Sequence, residues 1–569
     1  MSDINLKNII EQFPDCVTNG AKLKAILLDT YPEISKAIVN TLVIMANSGI
    51  AKEIQDSANI TELNKSRWQQ KLEDEGFSEK VICSCLNMVF IAFGLNAACI
   101  SNDEKLVVES SVSIQTKRAL PPSNLSDFEI KDGVLVKYIG KSSVVVIPDR
   151  VTAIGYDAFE NCHSLTTIVI PDNVESIADR IVHNCNGLTS VIWNAENCTA
   201  SRRYRRGETF GDCSNLINVI IGENVKQIPP YAFEGCNGLT SIAIPGSVTS
   251  IGDWAFYGCG KLVEVINNSS LNITKGNSDN GCVGEYALRI KKDVTTDIVN
   301  KNGYLFYTYD NANYLLGYIG HENKLILPTN YNGENYQIYK YAFYGCHSIT
   351  TVVIPDSITS IGESAFGDCF NLSSIVLPNS ITSIGGSAFR GCLKLTSVTI
   401  PNRVTSIGNW VFRHCGLTSV VIPDSVTTIG ESAFADCFDL SSIVLPNSIT
   451  SIGEYAFYNC HLLMSVTIPD SITSISRSAF GGCGFTNVVI PDSVTSIGKT
   501  AFECCNFLTS ISIPVSITSI GDEAFQCCHM LTYVNFNGTK EQWAKIKKGL
   551  KWNWNIVSVK CLDGIIKIK

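Results

Sequence analysis

The side chains best suited to chemistry in this chain are its 23 cysteines and seven histidines, together with one dense run of arginines. Thiolates and imidazoles are good zinc ligands. Four histidines, His163, His347, His461 and His529, each directly follow a cysteine. They lie far apart, however, and neighbouring Cys and His side chains on one short turn diverge, so the pattern does not assemble a metal site. Cys504-Cys505 and Cys527-Cys528 offer four thiols, with Cys561 as a candidate fifth for a metal or redox group. Only Cys505 and Cys528 share an inward register, which argues against a tetrahedral four-sulfur site. Cys83 and Cys85, two apart on an expected helix, do not face each other. Arg202-Arg203-Tyr204-Arg205-Arg206 is the only dense basic patch, and guanidinium forks suit carboxylates or phosphates. It reads as a docking loop for an acidic partner or as a plain solvated loop. No nucleophile and base, or acid and base, are spaced for catalysis, and no phosphate-cradling or dinucleotide motif occurs. The expectation is no enzyme activity, no cofactor and no metal.

The elements that position these residues follow from a repeat. Fourteen cysteines fall in one register, at Cys162, Cys185, Cys213, Cys236, Cys259, Cys346, Cys369, Cys392, Cys415, Cys437, Cys460, Cys483, Cys505 and Cys528, within a unit close to IPDSVTSIGESAFxxCxxLTSV. A fixed period of about 23 residues means a solenoid, each coil sharing one continuous core with its neighbours. In each coil Leu, Val and Ile, as at Leu395, Val398 and Ile400, point inward, while Ser397 and Thr399 alternate onto the outer face and Pro401 ends the strand. A short second strand and one turn of helix complete the coil. Buried in such a column, cysteine acts as a small hydrophobe, and stacked side chains run parallel instead of facing, so the ladder is read as reduced thiols.

The exposed strand columns carry small uncharged residues: Ser374 and Val376, Ser397 and Thr399, Ser419 and Val421, Ser442 and Val444, Ser465 and Thr467. This face suits extended contact with a partner, and it is equally a favourable sheet surface rich in β-branched residues.

Elsewhere the texture changes. Residues 1–100 lack the repeat and show helical spacing, as at Leu6, Ile9, Ile10 and Phe13, which predicts a small all-α domain. Residues 101–126 read as a linker, 127–148 as an N-terminal cap, 149–261 and 342–536 as repeats, 262–341 as an ordered β-rich excrescence, and 537–569 as a C-terminal cap. Trp543, Trp552 and Trp554 in that last segment read as packing over an open core end. The expected class is α+β: a curved parallel β-solenoid of about 14 coils with caps, preceded by helices.

The coils, the cap GVLVKYIGKSSVVVIPDRVTAIGYDAF, the segments WNAENC and YLLGYIG, and the ending NGTKEQW resemble the BspA-like class of leucine-rich-repeat proteins over about residues 127–569. The resemblance implies a right-handed curved solenoid that binds proteins or other macromolecules, and it brings no catalytic residues. Residues 1–100 are similar to a small helical domain of bacterial intracellular proteins.

A net charge of -9 argues against a general nucleic-acid binder, since that affinity comes from phosphate neutralisation. No stretch reaches the length and apolarity of a membrane-spanning helix. The first residues lack the features of a secretory signal, and free thiols suit a reducing compartment. The expected function is therefore cytoplasmic recognition or scaffolding with a protein partner, its identity and the oligomeric state left open. The alternative is a surface adhesin that binds host or neighbour-cell macromolecules after export by a non-classical route, and a third reading is an enzyme with its site in the helical domain or in the insertion at 262–341.

Overall fold

In the computed structural model, residues 123–569 are described except 186, 202–208, 211, 212, 214, 294, 321 and 569, together with nine helical positions between Leu23 and Leu72. The chain divides into two compact units, Met1–Leu106 with Val299–Gly303, and Val107–Ile298 with Tyr304–Lys569. In the first unit Leu27, Leu42, Met45 and Ile50 are buried helical residues. The expected all-α domain over 1–100 and the linker over 101–126 otherwise lie outside the described residues, so the helical domain is not established.

The second unit is a parallel β-solenoid of stacked turns with little helix. Its main ladder is built from strands such as Thr167–Ile170, Ser190–Trp193 and Asn218–Ile221, paired parallel and in register. Further along, Lys324–Ile326, Thr351–Val353 and Ser374–Val376 pair the same way. In-register parallel pairing follows from the period, because each strand then sets its inward Ile or Val directly over the previous one. A second ladder, of strands as short as Ser360–Ile361 and Ser383–Ile384, closes the other side of each turn.

The turns number about 18, not 14. Cysteine spacing undercounts them because four main-ladder strands, Val144–Val146, Arg289–Lys291, Lys324–Ile326 and Ser558–Cys561, have no ladder cysteine ahead of them. Two of these belong to the caps and two to residues 262–341. Of the two strands in that segment, Arg289–Lys291 pairs with the preceding turns and Lys324–Ile326 with the following ones.

The segment also repeats the N-terminal cap. At the start of the solenoid, Phe128–Lys131 and Val134–Tyr138 form an antiparallel hairpin with a bulge at Glu129/Ile130. Within the chain, Tyr304–Tyr309 and Ala312–Tyr318 form a second one with its bulge at Leu305/Phe306. Both end in Tyr-Ile-Gly, and the aromatic pairs Phe128–Tyr138 and Tyr304–Tyr318 sit at centroid distances of 5.2 and 4.8 Å. A Cβ at Gly140 or Gly320 would meet the hydroxyl of Tyr138 or Tyr318, so a larger residue at either place would have to displace that ring. Each hairpin then feeds its second strand into the short ladder, through Val134↔Ala153 in one case and Tyr314↔Gln337 in the other.

The corner of each turn is not the expected turn of helix. Two residues four apart adopt the left-handed region, as at Ser364 (φ 50°) and Asp368 (φ 53°), or Ser432 (φ 50°) and Asp436 (φ 59°). A right-handed helical turn excludes that backbone. Alternate amides instead reach the next turn: the N–H groups of Ser364, Phe366 and Asp368 donate to Gly386, Ala388 and Arg390 at 2.9, 2.8 and 2.6 Å. The left-handed residues each cost about 1–2 kcal/mol, which these ladder hydrogen bonds offset.

At the C-terminal end, the helix Lys540–Lys545 is opened by a capping box between Thr539 and Gln542. Trp543 and Trp552 are buried and pack at 5.6 Å, with Phe536 at 5.1 Å from Trp543. These two rings close the core, while Trp554 is substantially exposed.

Because the internal hairpin supplies the same cover as the N-terminal one, residues 304–569 alone are expected to fold. Circular dichroism should show the β-rich spectrum of the full chain, with a cooperative urea transition. A fragment that stays unstructured would show that the hairpin is not a functional cap.

Candidate functional site

The interior of the repeats is fully committed to packing. Phe343, Phe366, Phe389, Phe412, Phe434 and Phe457 stack face to face, with successive centroids 4.9 to 5.6 Å apart. The ladder thiols have a role beyond filling space. Cys369 donates to the Phe343 carbonyl at 3.0 Å, Cys392 to Phe366 at 3.2 Å, Cys437 to Phe412 at 3.0 Å and Cys460 to Phe434 at 3.2 Å. Each S–H thereby finds a carbonyl acceptor in the preceding turn, and the carbonyls of Phe343, Phe366 and Phe434 also accept the backbone N–H three residues on. Burial pushes the thiols of Cys369, Cys392, Cys437, Cys460 and Cys483 well above their ordinary range, so they are poor nucleophiles.

The histidines beside this ladder do not gather around a common point. The His347 ring stacks on Phe370 at 4.5 Å and the His461 ring on Phe438 at 5.4 Å. Among the described residues, no group of three or more His, Cys, Asp or Glu side chains converges to hold a metal ion. Nor is any helix among them long and apolar enough to cross a membrane.

The outer face of the main ladder is where side chains are left available. Ser374, Val376, Ser397, Thr399, Ser419, Val421, Ser442, Val444, Ser465 and Thr467 all lie exposed on it. Register brings them side by side, through Val353↔Val376, Thr399↔Val421, Ser419↔Ser442 and Val421↔Val444. Val376, Val421, Val444 and Val489 are 52, 70, 67 and 65% exposed. Arg202, Arg203, Tyr204, Arg205 and Arg206 lie outside the described residues, so the structure says nothing of that loop.

Sequence reasoning missed a second apolar row along the edge of this face. Phe370, Leu393 and Phe438 are exposed, each directly following a ladder cysteine, and Leu462, Phe507 and Met530, each two residues after one, are exposed as well. The signal was present in the residues after Cys369, Cys392 and Cys437, where a corner otherwise carries Asn, Gly, Ser or His. At the far end of the strands, Asp356, Asp424, Asp470 and Asp492 stand exposed after the strand-ending prolines. Acidic side chains outnumber basic ones over 342–536 as a whole, although the charges between 369 and 423 are the basic Arg390, Lys394, Arg403 and Arg413.

In the turns from Thr167 to Asn267 the same face is partly or wholly covered. Val169, Ile192 and Ile220 are half-buried, and Ile266 is fully buried. The cover over the strand Glu264–Asn267 is identifiable. Glu264 is fully buried, accepts from Thr296 Oγ1 at 2.5 Å and from the Asp297 N–H at 3.0 Å, and pairs with Lys291 Nζ at 3.3 Å. Lys291 also pairs with Asp297 at 3.0 Å, and Arg289 with Asp297 at 2.6 Å. Burial works against the Lys291 charge, but the Asp297 and Glu264 carboxylates outweigh it and hold the ammonium above its ordinary range.

A parallel solenoid with a phenylalanine and cysteine spine and one open strand face defines a leucine-rich-repeat protein. The profile described as BspA type Leucine rich repeat region matches residues 129–205, 205–296, 323–441 and 427–547, more than half of the chain, and the chain belongs to that family. No curated protein matches it. Among solved structures, it is similar to a leucine rich cell surface protein from Faecalibacterium prausnitzii, at 25% identity over 74% of this chain and 95% of that one, with a TM-score of 0.33. It is also similar to a leucine-rich repeat protein from Bacteroides ovatus, at 24% identity over 74% of this chain and 94% of that one, with a TM-score of 0.35.

The buried pair at the covered end gives a direct check. Lys291→Met leaves Glu264 buried without its cation and is expected to destabilise the protein by about 3 kcal/mol. Glu264→Gln combined with Lys291→Met should recover much of that loss in urea titrations. Equal instability of the single and double variants would show that charge pairing is not what holds this segment down.

Proposed function

We propose that this chain is a non-catalytic recognition or scaffold protein that holds a protein partner against the open strand face of turns 374–489. One observation carries the reading: Val376, Val421, Val444 and Val489, 52 to 70% accessible, share one outward strand column with Thr399 and Thr467, with no charge among them. Contiguous apolar surface of this kind marks interaction sites, whereas scattered exposed hydrophobics do not. The apolar row at Phe370, Leu393 and Phe438 widens the patch, and the aspartates after the strands favour a partner with basic flanks. Affinity would come from apolar area and shape, with the aspartates setting orientation. The buried ladder thiols, which donate to carbonyls of the preceding turn, suit a reducing, cytoplasmic setting.

The test compares capture by the full-length protein with capture by a Val421→Glu, Val444→Glu variant. Both side chains point into solvent, so the variant should keep its spectrum and melting temperature. A bound protein identified by mass spectrometry should lose at least about tenfold in affinity. Unchanged affinity would remove this face as the binding site. The loop Arg202–Arg206 is proposed as a second contact, for an acidic partner: replacing its four arginines and Tyr204 with alanine should weaken binding and flatten its salt dependence, and an unaltered salt slope would dismiss it.

A further inference from the structure

Two cysteines near the end of the stack stand outside the inward ladder. Cys504 and Cys527 occupy the corner position just before ladder residues Cys505 and Cys528, in successive turns, and both adopt left-handed backbone, with φ 58° and 55°. The Cys504 N–H donates to the Gln526 carbonyl at 2.7 Å, which ties the two corners together. Side chains in this corner column touch across one turn elsewhere in the solenoid: Asn184 donates to Asn161 at 2.9 Å, and Asn459 to Asp436 at 3.0 Å. At 504 and 527 the two groups in contact are thiols, both partly exposed and both free. Stacked turns about 4.8 Å apart fall within the Cα separation of a disulfide. The thiols behind them are differently placed, since Cys505 and Cys528 are buried and donate to the Phe480 and Phe502 carbonyls at 3.2 and 3.0 Å.

We propose that Cys504 and Cys527 form a redox modification site, closing to a disulfide that staples two successive C-terminal turns. With a hydroperoxide as oxidant, one thiol sulfur attacks the peroxide oxygen, giving a sulfenic acid and releasing one water when the oxidant is hydrogen peroxide. The second thiol sulfur then attacks the sulfenic sulfur, forming the S–S bond and expelling a second water. Two thiols lose two electrons and two protons in all, and one peroxide is reduced to two waters. Burial, then the neighbouring Cys527, pushes the Cys504 thiol up to about 11, so closure should quicken as pH rises toward that value. The bond would close a loop within the C-terminal turns and restrict their unfolded state.

The experiment treats reduced full-length protein with hydrogen peroxide, blocks free thiols with iodoacetamide, and maps non-reduced peptides by mass spectrometry. The expected result is a cross-link, lighter by two hydrogens and cleaved by dithiothreitol, joining the peptides that carry Cys504 and Cys527. Cys437, Cys460 and Cys483 should remain unoxidised. Cys504→Ser and Cys527→Ser should each abolish the cross-link, which assigns it to these sulfurs and not to Cys505 and Cys528. The oxidised protein should melt several degrees higher than the reduced one, a shift that both variants lose. Recovery of Cys504 and Cys527 as alkylated thiols after peroxide overturns the proposal. So does a cross-link that survives in both serine variants, or protection of the two thiols by stoichiometric bound zinc.

Discussion

Every residue in an in-register parallel stack has its counterpart one turn above and one turn below, and the rest of this structure follows from that constraint. A column is admissible only if its residue tolerates its own copy at about 4.8 Å. Phenylalanine does, offset-stacked at 4.9 to 5.8 Å from Phe343 through Phe525. Cysteine does because its thiol is small and has a carbonyl of the preceding turn within reach. Like charges directly opposite each other are unfavourable, and charges accordingly enter in complementary steps. Arg180 meets Asp157 at 3.0 Å and Arg413 meets Asp436 at 3.1 Å, each pair one turn apart.

The same constraint makes the ends expensive, since a terminal turn has a copy on one side only. It exposes an apolar layer and a row of unpaired backbone groups. The two hairpins answer this in one way, by ending the ladder in an antiparallel strand with a tyrosine folded back over a glycine. The C-terminal end answers differently, with the short helix and the rings of Trp543 and Trp552. An internal hairpin built like the terminal one means that the stack was begun twice, and it accounts for the gap left by the family profile between 296 and 323.

What could be read from the residues divides along this line. Period, inward residues and strand register were legible because they recur in every turn. Single deviations were not. Residues 262–341 read as an excrescence because their strands lack the ladder cysteine, and that spacing gave no sign that Arg289–Lys291 extends the preceding ladder or that Lys324–Ile326 pairs with the following one. The corner read as a helical turn because SAFxxC has helical spacing, yet Ser364 and Asp368 are left-handed, a backbone choice that Ser and Asp tolerate without announcing it. On the candidate face, the strand columns were predictable from alternation. The row at Phe370, Leu393 and Phe438 was not, because it belongs to a corner whose direction depends on those left-handed residues.

The face itself is the place where folding leaves residue identity undetermined. A β-branched residue suits an exposed strand position, and threonine serves that need as well as valine does. Thr399 and Thr467 show that the ladder accepts it in this very column. Valine at 376, 421, 444 and 489 gains nothing further from the core, since these side chains lie on the opposite side of the sheet. Each keeps apolar surface in water at about 25 cal/mol per Å². In the turns around Ile192, Ile220 and Ile266 the equivalent side chains are partly or wholly covered, so the fold does shelter this column where it has material to do so. Between 374 and 489 it does not, and the requirements of the stack do not account for the apolar surface left open there.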